Sequence, residues 1–568
     1  MKHVIVSAFL ALGAVAAPAL AQDAAESRRL DEIARTAAQQ FAAARDAEQT
    51  RPTVAPPPGV TVEVTLDGAI ERALDRNLEL AVERLNPQTF DFSIAALEAT
   101  YRPTLNTNFG LRNQTTFARS QTAGGDVLVT ETVTSNTGIS QALRLGGGSF
   151  AVGFNNDRQA QSDAFATRNP AINTNLSATF VQPLLRNFRI DGTRAQLRTT
   201  RLSQQISETG LRASIVRVTA NVRNAYWDLV YAIQAAEVAE RSLALATKLV
   251  EDNQARVEIG TLAPLDVVQA EAEQANRRQA VATTAAARRT AELILKRLIV
   301  NGTDDPLWTA SIEPIDRPTY STTDVDVAGA VRRALANRTD LETARRQMES
   351  NDISLLNLVD QQLPALDLTA SYGIRGVGGP QFRRSGLGGA ITEVIPGGYT
   401  DALGILLDRD APTWNVSLNF SYPIGASPAE ANVARARLQQ RQTIAQSRAL
   451  ELTIATEVTN AALQVESNRE RWQAAGVALA LAERRLEAEQ SRFDVGLTTN
   501  FFVVQAQRDL RDAQNSELRA LLDYRRALVE FERVQEIPAG GGGNITSIQG
   551  GGGQAPRANA GGGGGFGN

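Results

Sequence analysis

The chain has 568 residues, a formal net charge of −4 and only 5% aromatic residues. It therefore shows neither the basic balance of a nucleic-acid binder nor the aromatic content usual in a large globular enzyme. It contains no cysteine, and its one histidine, His3, lies in a segment expected to be removed, which excludes Cys or His nucleophile–base pairs and His/Cys metal sites from the mature chain. Asp and Glu are scattered along helical patterns, where a charge reads as part of a solvated face. No enzyme activity, cofactor or metal is expected.

Residues 1–21 read as a secretory signal, with Lys2 as the positive start, an apolar run from Val4 to Ala17, and Ala19-Leu20-Ala21 as the cleavage site. Pro18 and the polar Gln22-Asp23 end the run too soon for a membrane anchor, and no cysteine follows it to carry a lipid. No later apolar run reaches the roughly 18 residues of a membrane-spanning helix, so the exported chain could enter a membrane only as strands. Residues 22–59 form an N-terminal extension. Leu30, Ile33, Ala37, Phe41 and Ala44 share one helical face there, and a stiff linker at Pro52 to Gly59 follows.

From here the sequence is one unit written twice. Gly68-Ala-Ile-Glu-Arg-Ala-Leu74 recurs 261 residues later as Gly329-Ala-Val-Arg-Arg-Ala-Leu335. Arg256-Val-Glu-Ile-Gly260 recurs 236 residues later as Arg492-Phe-Asp-Val-Gly496. The first unit, 60–300, opens with a helix capped by Thr65 that is expected to run to about Tyr101, stopping before Pro103.

The period then changes from 3.6 to 2 over 103–182. Leu105, Phe109 and Leu111 alternate with Asn106, Asn108 and Arg112; Phe150, Val152 and Phe154 alternate with Ala151, Gly153 and Asn155; Leu176, Ala178 and Phe180 alternate with Asn175, Ser177 and Thr179. In the second unit, 324–537, strands are expected over 365–424. Leu366 to Ile374 and Trp414 to Tyr422 alternate in the same way, with a Gly-rich loop at Gly376 to Gly404. An apolar face backed by a small polar face suits strands between lipid and water, and a half-buried sheet alternates identically. The drop in offset from 261 to 236 leaves the first unit 25 residues longer here, enough for an added hairpin at Ile139 to Arg158 with Gly146-Gly147-Gly148 at its turn.

Helical hairpins follow at 192–300 and 428–537. Ile215, Val222, Leu229, Ala236, Leu243, Val250 and Val257 recur every seven residues, as do Val218, Ala225, Ala232, Ala239 and Ala246. The second unit repeats the stripe at Val458, Val465, Trp472, Leu479, Leu486 and Phe493. Sustained heptads of this kind make coiled coils, and small residues let the helices approach closely. Gly192 to Gly260 as one helix would be roughly 100 Å long. Gly260 and Gly496 are placed to stop the two long helices. Residues 301–323 link the units, and 538–568 form a Gly-rich tail expected to be disordered.

The fold class is therefore mixed α and β, mainly helical: a β-barrel continued by an α-helical coiled-coil barrel, built from two internal repeats. A few strands cannot close a barrel, and open edges cannot sit in lipid. The strands and apolar stripes must be completed by other copies of the chain, and the result is a conduit.

In Leu66-x-x-Ala-Ile-x-x-Ala-Leu-x-x-Asn77, Tyr101-x-Pro103, Gln182-Pro-Leu-Leu-Arg186, Tyr422-Pro-Ile-Gly425 and the two Arg-x-x-x-Gly turns, the first followed by Asp266-Val-x-x-Ala270, the chain resembles the TolC-like outer membrane efflux proteins over about residues 60–537. The resemblance implies a homotrimer in the outer membrane of a Gram-negative bacterium, its helical barrel extending into the periplasm. It also implies that the tips dock a periplasmic adaptor and an inner-membrane pump. The function it implies is the passive exit duct of a tripartite efflux or type I secretion system. The docking surface is then expected at Arg256, Gly260, Leu262, Pro264, Arg492, Gly496 and Thr498, and the entrance or gate at Leu265, Asp266, Phe501, Phe502 and Gln505. There are departures from the family. Its second turn often carries aspartates six and nine residues past the glycine, where this chain has Phe502 and Gln505. The added hairpin leaves the strands per subunit open between the family's four and five or six.

A periplasmic adaptor or a structural coiled-coil protein of the cell envelope is the alternative class. An adaptor would carry one hairpin between globular β domains, and a structural coiled coil would lack strands. Alternating strands placed twice between helices argue against both.

Overall fold

The structure is a computed structural model describing residues 61–118, 125–163, 165–260, 262–317, 325–386, 389–425 and 427–539. The expected signal segment, the whole N-terminal extension and nearly all of the Gly-rich tail lie outside them.

The first repeat starts with a short strand, β1 (Thr61–Val64), and two helices, α1 (Leu66–Arg76) and α2 (Leu78–Ala99). Thr65 accepts a hydrogen bond from the Gly68 amide (3.0 Å) and caps α1. The single helix expected up to Tyr101 is broken at Asn77, which has an extended backbone (φ −67°, ψ 123°). Its side-chain oxygen accepts from the Leu80 amide (3.1 Å) and its Nδ2 donates to the Leu298 carbonyl (3.0 Å). An Asn that can cap a new helix and hold a distant carbonyl competes with continuation of the old one.

Four strands follow, β2 (Thr104–Phe117), β3 (Val127–Ala142), β4 (Ser149–Gln161) and β5 (Ala171–Pro183). Then come two helices: α3 (Gly192–Glu258, 67 residues) and α4 (Pro264–Ile299, 36 residues). At 1.5 Å per residue α3 is roughly 100 Å long. The return helix packs along its far half, where Gln274 donates to Thr247, while α2 packs on the near half, where Arg201, Gln204 and Arg217 donate to Glu98, Asp91 and Glu79. Residues 301–317 are not a bare linker. They hold a helical turn, α5 (Pro306–Thr309), and β6 (Ser311–Pro314), which pairs in parallel with β1.

The second repeat supplies α6 (Val327–Asn337), α7 (Thr339–Asp360), β7 (Ala365–Gly378), β8 (Gln381–Arg384), β9 (Ile391–Ile395), α8 (Tyr399–Asp408), β10 (Pro412–Ser421), α9 (Pro428–Asp494, 67 residues) and α10 (Asn500–Arg533, 34 residues). The segment Gly376 to Gly404, expected as a loop, thus contains the end of β7, the β8–β9 hairpin and most of α8.

One six-stranded antiparallel sheet runs β10-β7-β5-β4-β3-β2. The first repeat contributes four strands and the second two, and β5–β7 is the seam between them. The added hairpin is β3–β4. Among the described residues, neither edge strand, β10 or β2, has a partner on its outer side.

The apolar cores occupy equivalent places. Ala69, Ala73, Leu80, Val218, Val222 and Ala225 are buried in the first. Ala330, Ala334, Leu341, Ile454, Val458 and Ala461 are buried in the second. Each pair is separated by one of the two repeat offsets, so the same helix faces close both junctions.

Candidate functional site

Directly paired residues of an antiparallel ladder lie on the same face, so the register sorts the sheet. One row crosses all six strands as Leu105, Ile139, Val152, Ala178, Tyr372 and Trp414. On the same face Leu366 and Leu368 lie opposite Phe420 and Leu418, and Phe154 lies opposite Leu176. Rows of the other face read Thr104, Ser140, Ala151, Thr179, Ser371, Asn415, and Asn108, Asn136, Asn155, Asn175, Arg375. Trp414, Val416, Leu418, Phe420, Leu105, Phe109 and Leu111 are exposed within the chain. A continuous apolar belt backed by hydrogen-bonding side chains is the pattern of a strand wall between lipid and a watery lumen. Among the described residues no helix is long and apolar enough to cross a membrane.

At the far end of the helices Gly260 has φ +77° and Gly496 φ +75°. The Gly496 amide donates to the Phe493 carbonyl (3.1 Å) and the Leu497 amide to the Arg492 carbonyl (2.8 Å), and the Gly260 amide donates to Val257 (2.9 Å). These bonds satisfy the last carbonyls of the long helices, and only glycine takes the left-handed position without strain. Pro264 is the first residue of α4, where its missing N–H costs nothing.

The two tips are tied together. Arg256 donates to the Phe493 carbonyl (3.2 Å), pairs with Asp494 (3.2 Å) and lies over the Phe493 ring at 4.4 Å. Arg256 is therefore engaged between the hairpins, besides lying at the expected docking surface. Leu249, Phe493, Val503 and Val504 form a small core beneath it. The fully buried Asn500 donates to the Asp266 carbonyl (3.3 Å). Asp266 itself is half-buried in the first turn of α4.

Leu265, Phe501 and Phe502 are 65%, 59% and 49% exposed, and the two rings meet edge to face at 5.5 Å. Neither ring is packed as core within one chain. Gln505 donates to Asp509 (2.8 Å), which also pairs with Arg485 (2.7 Å). Leu262 and Thr498 are half-buried, and Arg492 pairs with Glu489 (3.1 Å) on the surface.

Sequence reasoning missed an ion cluster just above the tips. Glu273 and Arg277, one turn apart on α4, are both buried and paired, and Glu273 also takes two bonds from Arg508 of α10 (3.0 and 2.6 Å). Burial alone would raise the Glu273 carboxyl, but the hydrogen bonds and charges of Arg508 and Arg277 outweigh it, holding it below the ordinary carboxylate range. Burial lowers Arg277, against the pull of Glu273. The only signal in the sequence was an i, i+4 Glu–Arg pair, which reads as a solvated face.

The family model described as outer membrane efflux protein matches residues 69–300 and 330–534. Comparison with curated proteins finds no match. Among solved structures, the Campylobacter jejuni CmeC outer membrane channel is similar at 15% identity and TM-score 0.58, over 83% of this chain and 85% of that one. The Vibrio cholerae outer membrane protein VceC is similar at 17% identity and TM-score 0.56, over 83% and 96%. The open state of the Neisseria gonorrhoeae MtrE outer membrane channel is similar at 18% identity and TM-score 0.54, over 83% and 89%. At such identities the likeness is one of fold.

Proposed function

The chain belongs to the outer membrane efflux protein family, a family of channels rather than enzymes, and from that premise we propose that it is the passive exit duct of a tripartite efflux or type I secretion system. The observation that carries this reading is the sheet: an apolar row crossing all six strands, a polar row behind it and, among the described residues, an edge strand at either side with no outer partner.

The edges say how the duct closes. β10 comes from the second repeat and β2 from the first. In the helical layer α10 packs against α3, leaving α9 at one side and α4 at the other. Leu452, Leu463, Val477 and Leu481 on α9 are exposed, as are Leu293 and Ile294 on α4. Two different edges that complement each other make a head-to-tail contact, which repeats into a closed ring. Three copies would form an eighteen-stranded barrel above a helical tube, with β10 of one copy beside β2 of the next and α9 beside α4.

Its partners would be a periplasmic adaptor and an inner-membrane pump, docked at Arg256, Gly260, Leu262, Pro264, Arg492, Gly496 and Thr498. The gate would lie just past the turns, where Leu265, Phe501 and Phe502 narrow the tube and Asp266 and Gln505 add polar groups. An apolar constriction resists wetting, and the Asp266 ring would favour cations.

Single-channel recording in planar bilayers tests the gate. Phe502→Ser raises the resting conductance and Asp266→Asn lowers cation selectivity, with trimer yield unchanged. Unchanged conductance and selectivity in both would place the gate elsewhere. For docking, Gly260→Val and Gly496→Val abolish export while trimers still reach the outer membrane; export surviving both changes would remove the tips from the docking surface.

A further inference from the structure

The helix α8 packs on the apolar face of the sheet, not on the polar one. Gly376 and Gly378 of β7 belong to the same face as Ile374 and Tyr372, and there a Cβ at Gly376 would overlap the Ala402 carbonyl and one at Gly378 the Gly398 carbonyl. Thr174, opposite Gly376 on that face, is buried and donates to the Ala402 carbonyl (3.2 Å). Tyr399 donates to the Asn156 side chain (3.3 Å), and Asn156 lies opposite Thr174. The two glycines leave the strand bare, so the helix backbone can lie directly on it.

Its height is fixed by the same register. On β4, β5 and β7 the unbroken apolar rows end at Phe154, Leu176 and Ile374, whereas on β2 and β3 the same face runs on through Phe109, Leu111 and Val133, the last opposite Arg158. The next row out, away from the helical tube, is Phe109, Ser135, Asn156, Thr174 and Gly376, polar on β3, β4 and β5, and α8 starts over the Gly378 row beyond it and crosses the Gly376 row at Ala402. The amide of Gly398 donates to Asp401 (2.6 Å) at its start, and Arg409 ends it at φ +58°.

The faces of α8 are sorted. Ala402 and Leu406, four residues apart, are buried against the sheet. At 100° per residue Leu403 and Leu407 share one flank and Asp401 and Asp408 share the opposite one. Leu407 is 74% exposed although it lies beside an apolar wall.

We infer that α8 is an interfacial helix that lies on the outside of the barrel at the acyl–headgroup boundary of the outer leaflet, its Leu403/Leu407 flank in the acyl region and its Asp401/Asp408 flank in water. The occupant of the Leu flank is membrane lipid because the flank continues the lipid-facing belt through Ile374 and Leu176. Short helices with one apolar and one charged side take this position in a bilayer interface, and Tyr399 supplies an aromatic ring at this level. Three copies in the ring would fix the depth of the barrel. The inference rests on the outer-membrane reading given above.

Tryptophan quenching tests it on the whole protein, reconstituted into phosphatidylcholine vesicles with bromine placed near the headgroup end of the acyl chains. Native Trp414 is in the belt and loses emission in these vesicles, and Trp414→Phe removes that loss. Adding Leu407→Trp to this background restores a quenched component, and adding Asp408→Trp instead gives one that lipid bromine leaves unchanged. An unquenched Leu407→Trp with blue-shifted emission means the flank is covered by a neighbouring copy, and one with solvent-like emission means it lies in water; either overturns the inference while Trp414 quenching still stands. Quenching at Asp408→Trp as well overturns the boundary placement. No quenching of Trp414 overturns the inference together with the membrane reading beneath it.

Discussion

At the end of α1 stands Asn77, and at the equivalent place at the end of α6 stands Arg338; both hold the chain extended, at φ −67° and −63°, between two helices. Around them the apolar residues match pair by pair. The polar completion does not. In the first repeat the returning chain cinches the junction. Asp305, fully buried at its side chain, takes Arg72 (2.7 Å) and Arg76 (3.0 Å). Lys296 pairs with Glu292 (2.9 Å) and donates to the Trp308 and Ala310 carbonyls. The Tyr226 hydroxyl donates to the Val64 carbonyl (3.0 Å) and bonds Asp316 (3.1 Å). In the second repeat one buried guanidinium, Arg338, bridges Asp340 (2.7 Å), Glu457 (2.6 Å) and the Val534 carbonyl (3.2 Å). Burial alone would lower Arg338, but its bonds to Asp340 and Glu457 hold it firmly charged. One repeated apolar pattern can thus be finished by added chain or by concentrated charge, and the two respond differently to substitution.

The largest difference follows from removing the centre of each junction. Arg338→Met leaves Asp340 and Glu457 without their partner in a buried site, and a loss of about 3–5 kcal/mol is expected. Asn77→Ala removes a helix cap and is expected to cost about 1 kcal/mol. Thermal unfolding of both variants in detergent checks the order, and equal losses would erase the distinction between the junctions.

A second prediction concerns the ion cluster above the tips. Glu273→Gln weakens the tie between α4 and α10 by about 2 kcal/mol, the scale of hydrogen bonds to charged groups. Because the folded carboxyl titrates below its ordinary 4.5, its contribution is complete above that pH and is lost as pH falls through the folded value. Acid unfolding of the wild type should carry this component and Glu273→Gln should lack it.

The alkaline counterpart lies at the first junction. Burial, opposed in part by a backbone bond and reinforced by the Asp316 charge, raises Tyr226 to about 12 from 10.0. The folded state keeps a proton that the unfolded chain has released, so stability falls as pH rises from about 10 to about 12. Tyr226→Phe should unfold with a flatter alkaline profile and, at neutral pH, lose about 1 kcal/mol for the hydrogen bonds removed. The same profile in both proteins would remove Tyr226 as its source.

The repeats also differ in what covers their long helices. Val218, Val222, Ala225, Leu229 and Ala232 of α3 are buried within one chain, whereas Leu452, Leu463, Val477 and Leu481 of α9 are exposed. Heptad spacing reveals an apolar stripe but not which partner covers it. The alternation at Leu366 to Ile374 and Trp414 to Tyr422 marked the sheet faces plainly, because lipid on one side and water on the other impose a period of two. Less of the local detail was legible. An Asn inside a helical pattern continues or caps depending on a carbonyl far away in sequence, here Leu298. Gly376 to Gly404 looked like loop because its glycines read as turns, while Gly376 and Gly378 are bare ground for a helix. Of the tip residues, the left-handed turns followed from Gly260 and Gly496. The bridge from Arg256 to Phe493 and Asp494 crosses between repeats, and no spacing within one repeat encodes it.

The central claim is that neither the sheet nor the helical layer is closed until copies of the chain meet. Native mass measurement on the detergent-solubilised protein, alongside circular dichroism of the same sample, tests it most directly. The account predicts a single species of three chains whose folded signal is lost when the assembly dissociates. A well-folded single chain, stable in the same detergent, would contradict it.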